Sequence, residues 1–376
     1  MPGFEWIDKK ELKIVKKIFY EGGTLIAHGF DKIRKKYYVR DFEKLSNKYF
    51  KSKNCLAVSS GTAAIKVALK SLGIKAGDEV ITQSFNFIAT IEAILDCGAI
   101  PIIANIDDSL NMDPEEIPRL KNKKTKAIIP VHMLGVPCEM SKIMHYSKKF
   151  NIPILEDNCE AVGGKYKDKF LGTIGDVGVF SFDHGKIITS GEGGMILTDN
   201  KKLANYAREF HDHGHQNNKK FPRGRDTRKI FGFNYRMTEL QGAIATVQLG
   251  KLREMISSNI KRYKVLQKQL STHFIIRKIP QGSKCINDTF ILIQKNKKKR
   301  ANIIKLLNEM KFGTKNLPDA MEWHCSYFWD HALSKKQVRR SKKSFEILNS
   351  CIAIPILRNK STKQYKELSL KIIKYR

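Results

Sequence analysis

The chain has 376 residues, 41% hydrophobic and 28% charged; this is the composition of a globular protein, and the length exceeds what one core usually holds, so two domains are expected. Its first twenty residues carry Lys9, Lys10, Glu11, Lys13, Lys16 and Lys17 without an apolar centre and no later run reaches membrane-spanning length, so the expectation is a cytoplasmic protein with no membrane partner. A net charge of +32 invites a nucleic-acid partner, but only sixteen of the 69 basic residues are arginine, the lysines are spread along the whole chain, and no zinc-finger or RNA-recognition signature accompanies them.

From residue 55 the pattern alternates between strand and helix. "CLAVS" (55–59) is a short apolar run, followed by Ser60-Gly61-Thr62 and the helical "AAIKVALKSLG". "EVITQ" (79–83) precedes the helical "FIATIEAILDCG" (87–98), and "IPIIANI", "KAIIPVHM" and "IPILED" follow as buried strands, with a helix over about 139–150 before the last. Such alternation predicts a largely parallel sheet covered on both faces, with ligands gathering beyond the carboxyl ends of the strands. Ser59 to Thr62, Gln83 to Phe87, His132 and Glu156-Asp157 all fall at such ends. A long helical pattern over about 237–262 leads into "THFIIRKI" and "DTFILIQK", strand-like, and "RANIIKLLNEMKFG", helical. The division expected is a large α/β domain with an N-terminal arm over 1–240, and a connecting helix with a small α+β domain over 241–376. Seven cysteines, odd in number and without Cys-x-x-Cys spacing, fit reduced thiols rather than structural zinc.

Three segments carry chemistry. "VSSGTAAI" sets Ser, Gly and Thr between a strand and a helix, where free backbone N–H groups seat a phosphate; capping plus a tight turn explains the same residues. "ILEDNCEAVGG" puts Asp157 at a strand end, a position that also suits a helix cap. "FSFDHGKIITSGEGGM" (180–195) presents one lysine, Lys186, at a turn. Most turn lysines are simply solvated. A phosphate seat, an aromatic at Phe87, an acid at Asp157 and a lysine are together the parts that hold pyridoxal 5'-phosphate: the amine forms an imine, the acid keeps the ring nitrogen protonated and the aromatic stacks on the ring.

The motifs "SSGTAA", "GDEVITQSFNFIAT", "VHMLGVP", "EDNCEAVGGKYKDKFLGTIGDVGVFSF", "GKIITSGEGGM" and "GFNYRMTELQGA" make the chain resemble, over nearly its full length, the DegT/StrS family of sugar aminotransferases, which are fold type I pyridoxal-phosphate enzymes. The resemblance implies a mostly parallel seven-stranded sheet in the large domain and a smaller C-terminal α+β domain. It implies that Thr62 and Ala63 hold the cofactor phosphate through backbone amides with help from the Ser181 hydroxyl, that Phe87 stacks on the ring, that Asp157 meets the pyridine nitrogen, and that Lys186 forms the Schiff base and shuttles the proton. It also implies that Asn234 reaches the phosphate of a neighbouring subunit, so a homodimer shares its active sites. Two positions depart from the family's common pattern. Glu160 stands where Gln or His is frequent, which leaves its place among the cofactor contacts open, and Asp183-His184-Gly185 replace the usual residues before the lysine. The lysine itself separates the chain from the family's dehydratase branch, where histidine stands at that place.

For the substrate, the segment 208–236 is dense in His, Arg and Asn, and His213, His215, Arg225 and Arg228 are candidates to bind an anionic sugar; a solvated loop has the same composition. "HDHGH" there is an isolated cluster, and no metal site is expected. "AMEWHCSYFWDH" (320–331) offers Trp323 and His324 as pocket walls or as packing. These two segments look closer to the 8-amino-3,8-dideoxyoctulosonate transaminase branch than to the nucleotide-sugar branch. The activity implied is transfer of an amino group, with glutamate as donor, to a nucleotide-linked keto-sugar or an 8-oxo-3-deoxyoctulosonate in surface polysaccharide or lipopolysaccharide synthesis. The alternative is a non-catalytic protein of this fold with a basic nucleic-acid-binding surface.

Overall fold

The computed structural model describes residues 3–29, 34–218 and 220–376; of the expected N-terminal arm and the 208–236 segment, positions 1, 2, 30–33 and 219 lie outside the described residues. Seven strands form the main sheet: β1 (Asn54–Val58), β2 (Glu79–Gln83), β3 (Ile100–Ala104), β4 (Thr125–Ile129), β5 (Leu155–Asp157), β6 (Val177–Ser181) and β7 (Gly194–Thr198). Their spatial order is β1-β7-β6-β5-β4-β2-β3, with β4 and β5 joined by the parallel bridges Ile128–Ile154 and Val131–Asp157. Only β7 is antiparallel to its neighbours. The sheet is thus mostly parallel, as the alternation predicts, and seven-stranded, as the family resemblance implies.

Alternation along the strands feeds two cores. Leu56, Val58, Val177, Val179 and Ile196 point into one face, against the helix Gly61–Ser71, while Ala57, Phe180, Met195 and Leu197 point into the other, against the helix Tyr38–Phe50 and the long helix Glu239–Leu270. Side chains of period two, apolar on both faces, are what a sheet covered on both sides requires. The long helix begins at a capping box in which Thr238 and Gln241 satisfy each other's backbone N–H groups, as the spacing predicts, and runs two turns beyond the expected end. Its last residues, Leu266 and Leu270, enter a separate core under a second sheet made of β8 (Ile275–Ile276), β9 (Thr289–Ile293) and β10 (Cys351–Pro355), covered by the helices Lys297–Glu309 and Thr362–Ile373.

The strand expected over 272–279 is cut to two residues. Arg277 turns its buried guanidinium back to the main body, donating to the carbonyls of Ser109 and Met133 and to Asn111 Oδ1; its amide still reaches the Ile291 carbonyl, and the backbone leaves the ladder at Lys278, whose amide donates to the Asp108 carbonyl. Three such bonds outweigh the ladder positions lost. Among the described residues no helix is long and apolar enough to cross a membrane.

Candidate active site

β1, β5 and β6 deliver their carboxyl ends to one cavity of about 480 Å³, lined by Thr62, Phe87, Asp157, Glu160, Ser181 and Lys186. Asp288, at the start of β9, and the stretch 315–324, which runs from β10 to the end of β2 and supplies Lys315, Asn316 and His324, close it. A larger cavity, about 790 Å³, lies at the other end of β1 against Asn54, Cys55 and Leu56 and contains none of the expected cofactor residues.

The expected phosphate seat falls at the start of the helix Gly61–Ser71. Ser60 caps it, its Oγ accepting from the Ala63 amide at 3.1 Å, while the amides of Gly61 and Thr62 belong to the first turn and have no carbonyl four residues back. Gly61 is required by contact: a Cβ there would come within 2.7 Å of Ser181 Cβ. The helix start therefore lies directly on the end of β6, and the Ser181 hydroxyl joins the free amides. That is a cradle for an anion, with the positive end of the helix dipole behind it. The Ala63 amide is the one expected donor that already has a partner.

Asp157, 3% exposed, ends β5 with both carboxylate oxygens engaged: Thr90 Oγ1 donates to one at 3.0 Å and the Cys159 amide to the other at 3.1 Å. The neighbouring Glu156 has a structural task, clasping the amides of Gly172 and Gly175 and facing His132 Nε2 at 3.1 Å. Because the Cys138 amide donates to His132 Nδ1, the Nε2 of that ring carries the proton given to Glu156.

Lys186 sits on the lobe between β6 and β7, with Nζ 3.5 Å from Glu160 Oε1. Burial pulls its ammonium down, but Glu160, Asp183 and Asp157 outweigh burial and the net shift is upward. Glu160 shows the reciprocal balance: burial favours its neutral form, and Lys186, Lys315 and His324 overcome this and hold it at about 2. Its Oε2 also accepts from the Leu134 amide at 3.1 Å. Glu160 and Lys186 are therefore an ion pair in the free protein.

Phe87 is 42% exposed at the cavity mouth, with the His324 ring 5.4 Å away and the Trp323 ring 6.4 Å away and nearly parallel. His324 lines the cavity and donates Nδ1–H to the Ala320 carbonyl; Trp323, 60% exposed, stands outside it behind Phe87. Asn234, His213, Arg225 and Arg228 are exposed and away from this chain's cavity, and His215 turns to Asp226 at 3.2 Å. Among the described residues no three His, Cys, Asp or Glu side chains are grouped to hold a metal.

Sequence reasoning missed Thr90, Asp288, Lys315 and Asn316. Lys315 is paired with Asp288 at 2.6 Å, with side chains 9% and 2% exposed. A phosphate seat, a carboxylate at a strand end, a buried lysine and an aromatic at the mouth fit pyridoxal phosphate in number and kind.

The chain matches the DegT/DnrJ/EryC1/StrS aminotransferase family over residues 27–372. It belongs to that family. Among its relatives, a GDP-perosamine synthase of Caulobacter vibrioides is 39% identical over 224 residues, which are 59% of this chain and 58% of that protein. The chain thus spans less than two thirds of the length of this curated relative. Among solved structures, an aminotransferase from Psychrobacter cryohalolentis superimposes with a TM-score of 0.83 at 25% identity, covering 98% of this chain and 96% of that one. A GDP-4-keto-6-deoxymannose-3-dehydratase superimposes at 0.84 with 22% identity over 98% of both chains, a likeness of fold. The α/β architecture is that of the fold type I pyridoxal-phosphate enzymes.

Proposed function

We propose that the protein is a pyridoxal-phosphate-dependent sugar aminotransferase that moves an amino group from glutamate to a nucleotide-linked keto-sugar for surface polysaccharide synthesis. The observation that carries this reading is the single cavity into which Lys186, Asp157 and the start of the helix Gly61–Ser71 all open. Thr62, the Gly61 amide and Ser181 would hold the phosphate, Phe87 would cover the ring, and Asp157 would face the ring nitrogen. When bound, the cofactor supplies an aldehyde for amines and an electron-withdrawing ring.

The chain's own residues then divide the work. Thr90 Oγ1 and the Cys159 amide fix the Asp157 carboxylate so that it remains an acceptor for a ring N–H. Lys186 Nζ, which lines the cavity, would be the amine that takes up and returns a proton there. Glu160 Oε1 holds Lys186 as an ammonium until a ligand displaces the pair. Lys315 from the second core offers a cation to an acidic donor in exchange for Asp288.

The relatives named GDP-perosamine synthase support a nucleotide-linked acceptor with the keto group on the sugar ring. The exposed Phe231, Phe233 and Asn234 support a homodimer in which Asn234 serves the partner's site. No feature of the cavity favours the non-catalytic alternative, since the lysine and acid needed for chemistry face the same space.

The test offers glutamate to the purified holoprotein and follows loss of the visible band of the lysine-bound cofactor. The amino form is then given a GDP-linked 4-keto-6-deoxy sugar or an 8-oxo-3-deoxyoctulosonate. Recovery of the band with the first supports the reading; recovery with the second alone transfers the acceptor to the sugar-acid class; no bleaching by any amino acid sinks it.

A further inference from the structure

We propose that the short 3-10 helix Phe4–Trp6, with Gly3 before it, positions the Lys186 turn and ties that turn to the second core; the proposal rests on the role given to Lys186 above. The turn needs outside support. Among the described residues, the backbone hydrogen bonds of residues 183–186 are otherwise local: Lys186 N–H to the Asp183 carbonyl, Gly185 N–H to Asp183 Oδ1, and Asp183 N–H to Ser181 Oγ. It follows the end of β6 but is itself part of no strand. The Lys186 carbonyl accepts from the Gly3 amide at 2.8 Å. Contact there is so close that a Cβ on Gly3 would lie 2.7 Å from that carbonyl oxygen and 2.9 Å from the Thr189 amide. Beside it the Phe4 ring stacks on His184, centroids 4.7 Å apart and planes 12° from parallel.

The rear of the same segment is clamped. Arg358, just beyond β10, donates its guanidinium to the Glu5 carbonyl at 2.6 Å and its amide to the Glu5 carboxylate at 2.9 Å, and lies 4.0 Å over the Trp6 ring. Lys251 of the long helix donates to the Trp6 carbonyl at 2.7 Å and pairs with Glu11 at the same distance. Four residues therefore touch the lysine turn in front and the second core behind. That core also carries Lys315, whose amide donates to the Ala353 carbonyl of β10 at 2.9 Å and whose side chain lines the opposite wall of the cavity. A shift of this wall reaches the lysine through Arg358 and Phe4 without crossing the cavity, and sub-ångström placement of a reacting amine is worth large factors in rate. Gly3 and Phe4 are positioning residues, because Gly3 holds the Lys186 carbonyl and Phe4 the His184 ring while neither lines the cavity.

Phe4→Ala and His184→Ala are made singly and together, with Phe4→Tyr as the conservative variant. Each chain is assayed as holoenzyme for bleaching by glutamate under saturation, and by amide hydrogen exchange at Lys186 without cofactor. Each single alanine variant is expected to slow bleaching about tenfold at unchanged glutamate affinity and to speed exchange of the Lys186 amide. The double variant should be no slower than either single one, and Phe4→Tyr should restore both readouts. Unchanged exchange and rate in both single variants, or a double variant whose loss is the product of the two, overturns the proposal. A wild-type protein without a lysine-bound cofactor band would instead sink the functional reading, and the exchange experiment would still decide the strap.

Discussion

The cavity around Lys186 and the 208–236 segment are both rich in charge, yet they use it in opposite ways. At the cavity, functional groups hang on strand ends and a helix start, so the sheet fixes their directions, and Lys186, Asp157 and the phosphate seat face a common space. In the 208–236 segment two carboxylates take up Arg223, Arg236 and His215, while His213, Arg225 and Arg228 stay exposed. Asp212 takes Arg223 through both carboxylate oxygens and Arg236 through one. Asp226 takes His215 and the amides of Asn217, Asn218 and Thr227. Although burial opposes ionisation of Asp212, Arg223 and Arg236 hold its carboxyl well below the usual range. A cluster of cations marks a ligand only after the acids within reach have been counted.

The largest effect that tests this contrast comes from subunit mixing. Lys186→Ala should lose about 10⁴-fold in transamination, whereas Asn234→Ala should weaken cofactor binding by about 1.5–3 kcal/mol, one hydrogen bond to a charged group. If Asn234 serves the partner's cavity, dimers formed from one chain of each kind contain one intact site and regain part of the activity. Heterodimers that form and stay inactive would show that Asn234 does not serve the partner's cavity.

A smaller effect sharpens the description of the cavity. Thr90→Val removes one of the two donors to Asp157 while keeping shape, so a loss of about three- to tenfold in the half-reaction with glutamate is expected. Turnover equal to wild type would mean that the Cys159 amide alone orients the carboxylate.

The smallest effect is read by pH at the foot of the 208–236 segment. His211 donates Nδ1–H to the Arg208 carbonyl at 2.6 Å, so its Nε2 accepts from His28 Nε2 at 3.4 Å and both rings are neutral. Burial first, and then each other's proximity or that of Arg208, depresses His28 to about 3 and His211 to about 4. Depressed values in the folded chain mean stability that is complete above the ordinary value of 6.5 and is lost as pH falls, because the unfolded chain takes up protons that the folded one refuses. Between pH 7 and 5.5 the loss should be about 1 kcal/mol per histidine, a window that Glu160, already ionised, does not enter. Thermal melts of wild type and His28→Gln across that range check it; equal pH slopes would remove the pair from the account.

The legibility of the two regions differs for a physical reason. β1, β5 and β6 and the glycine-rich returns after them are local in sequence, so their motifs could be placed on strand ends without knowing the rest of the fold. The expected positions of Thr62, Phe87, Asp157, Ser181 and Lys186 at one cavity follow from that. Lys315, Asn316 and Asp288 carry no local signal, since only docking of the second core brings them to the cavity. Arg277 likewise reads as part of a strand until its buried carbonyl partners are seen. Glu160 was visible as a departure, and only its distance from Lys186 shows what it does in the free protein.

The antiparallel strand β7 has a consequence for how the molecule comes to exist. It inserts between β6 and the edge strand β1, so that Asn54 Nδ2 donates to the Thr198 carbonyl at 3.0 Å across 144 residues of chain. Such long-range closure is entropically expensive and slow relative to local contacts. Until the chain has returned through residue 198, the helix start at Gly61 has no Ser181 beside it. During synthesis an emerging chain therefore carries the first half of the anion cradle for well over a hundred residues before the second half arrives, and ligand-binding competence is a late event of folding rather than an early nucleus.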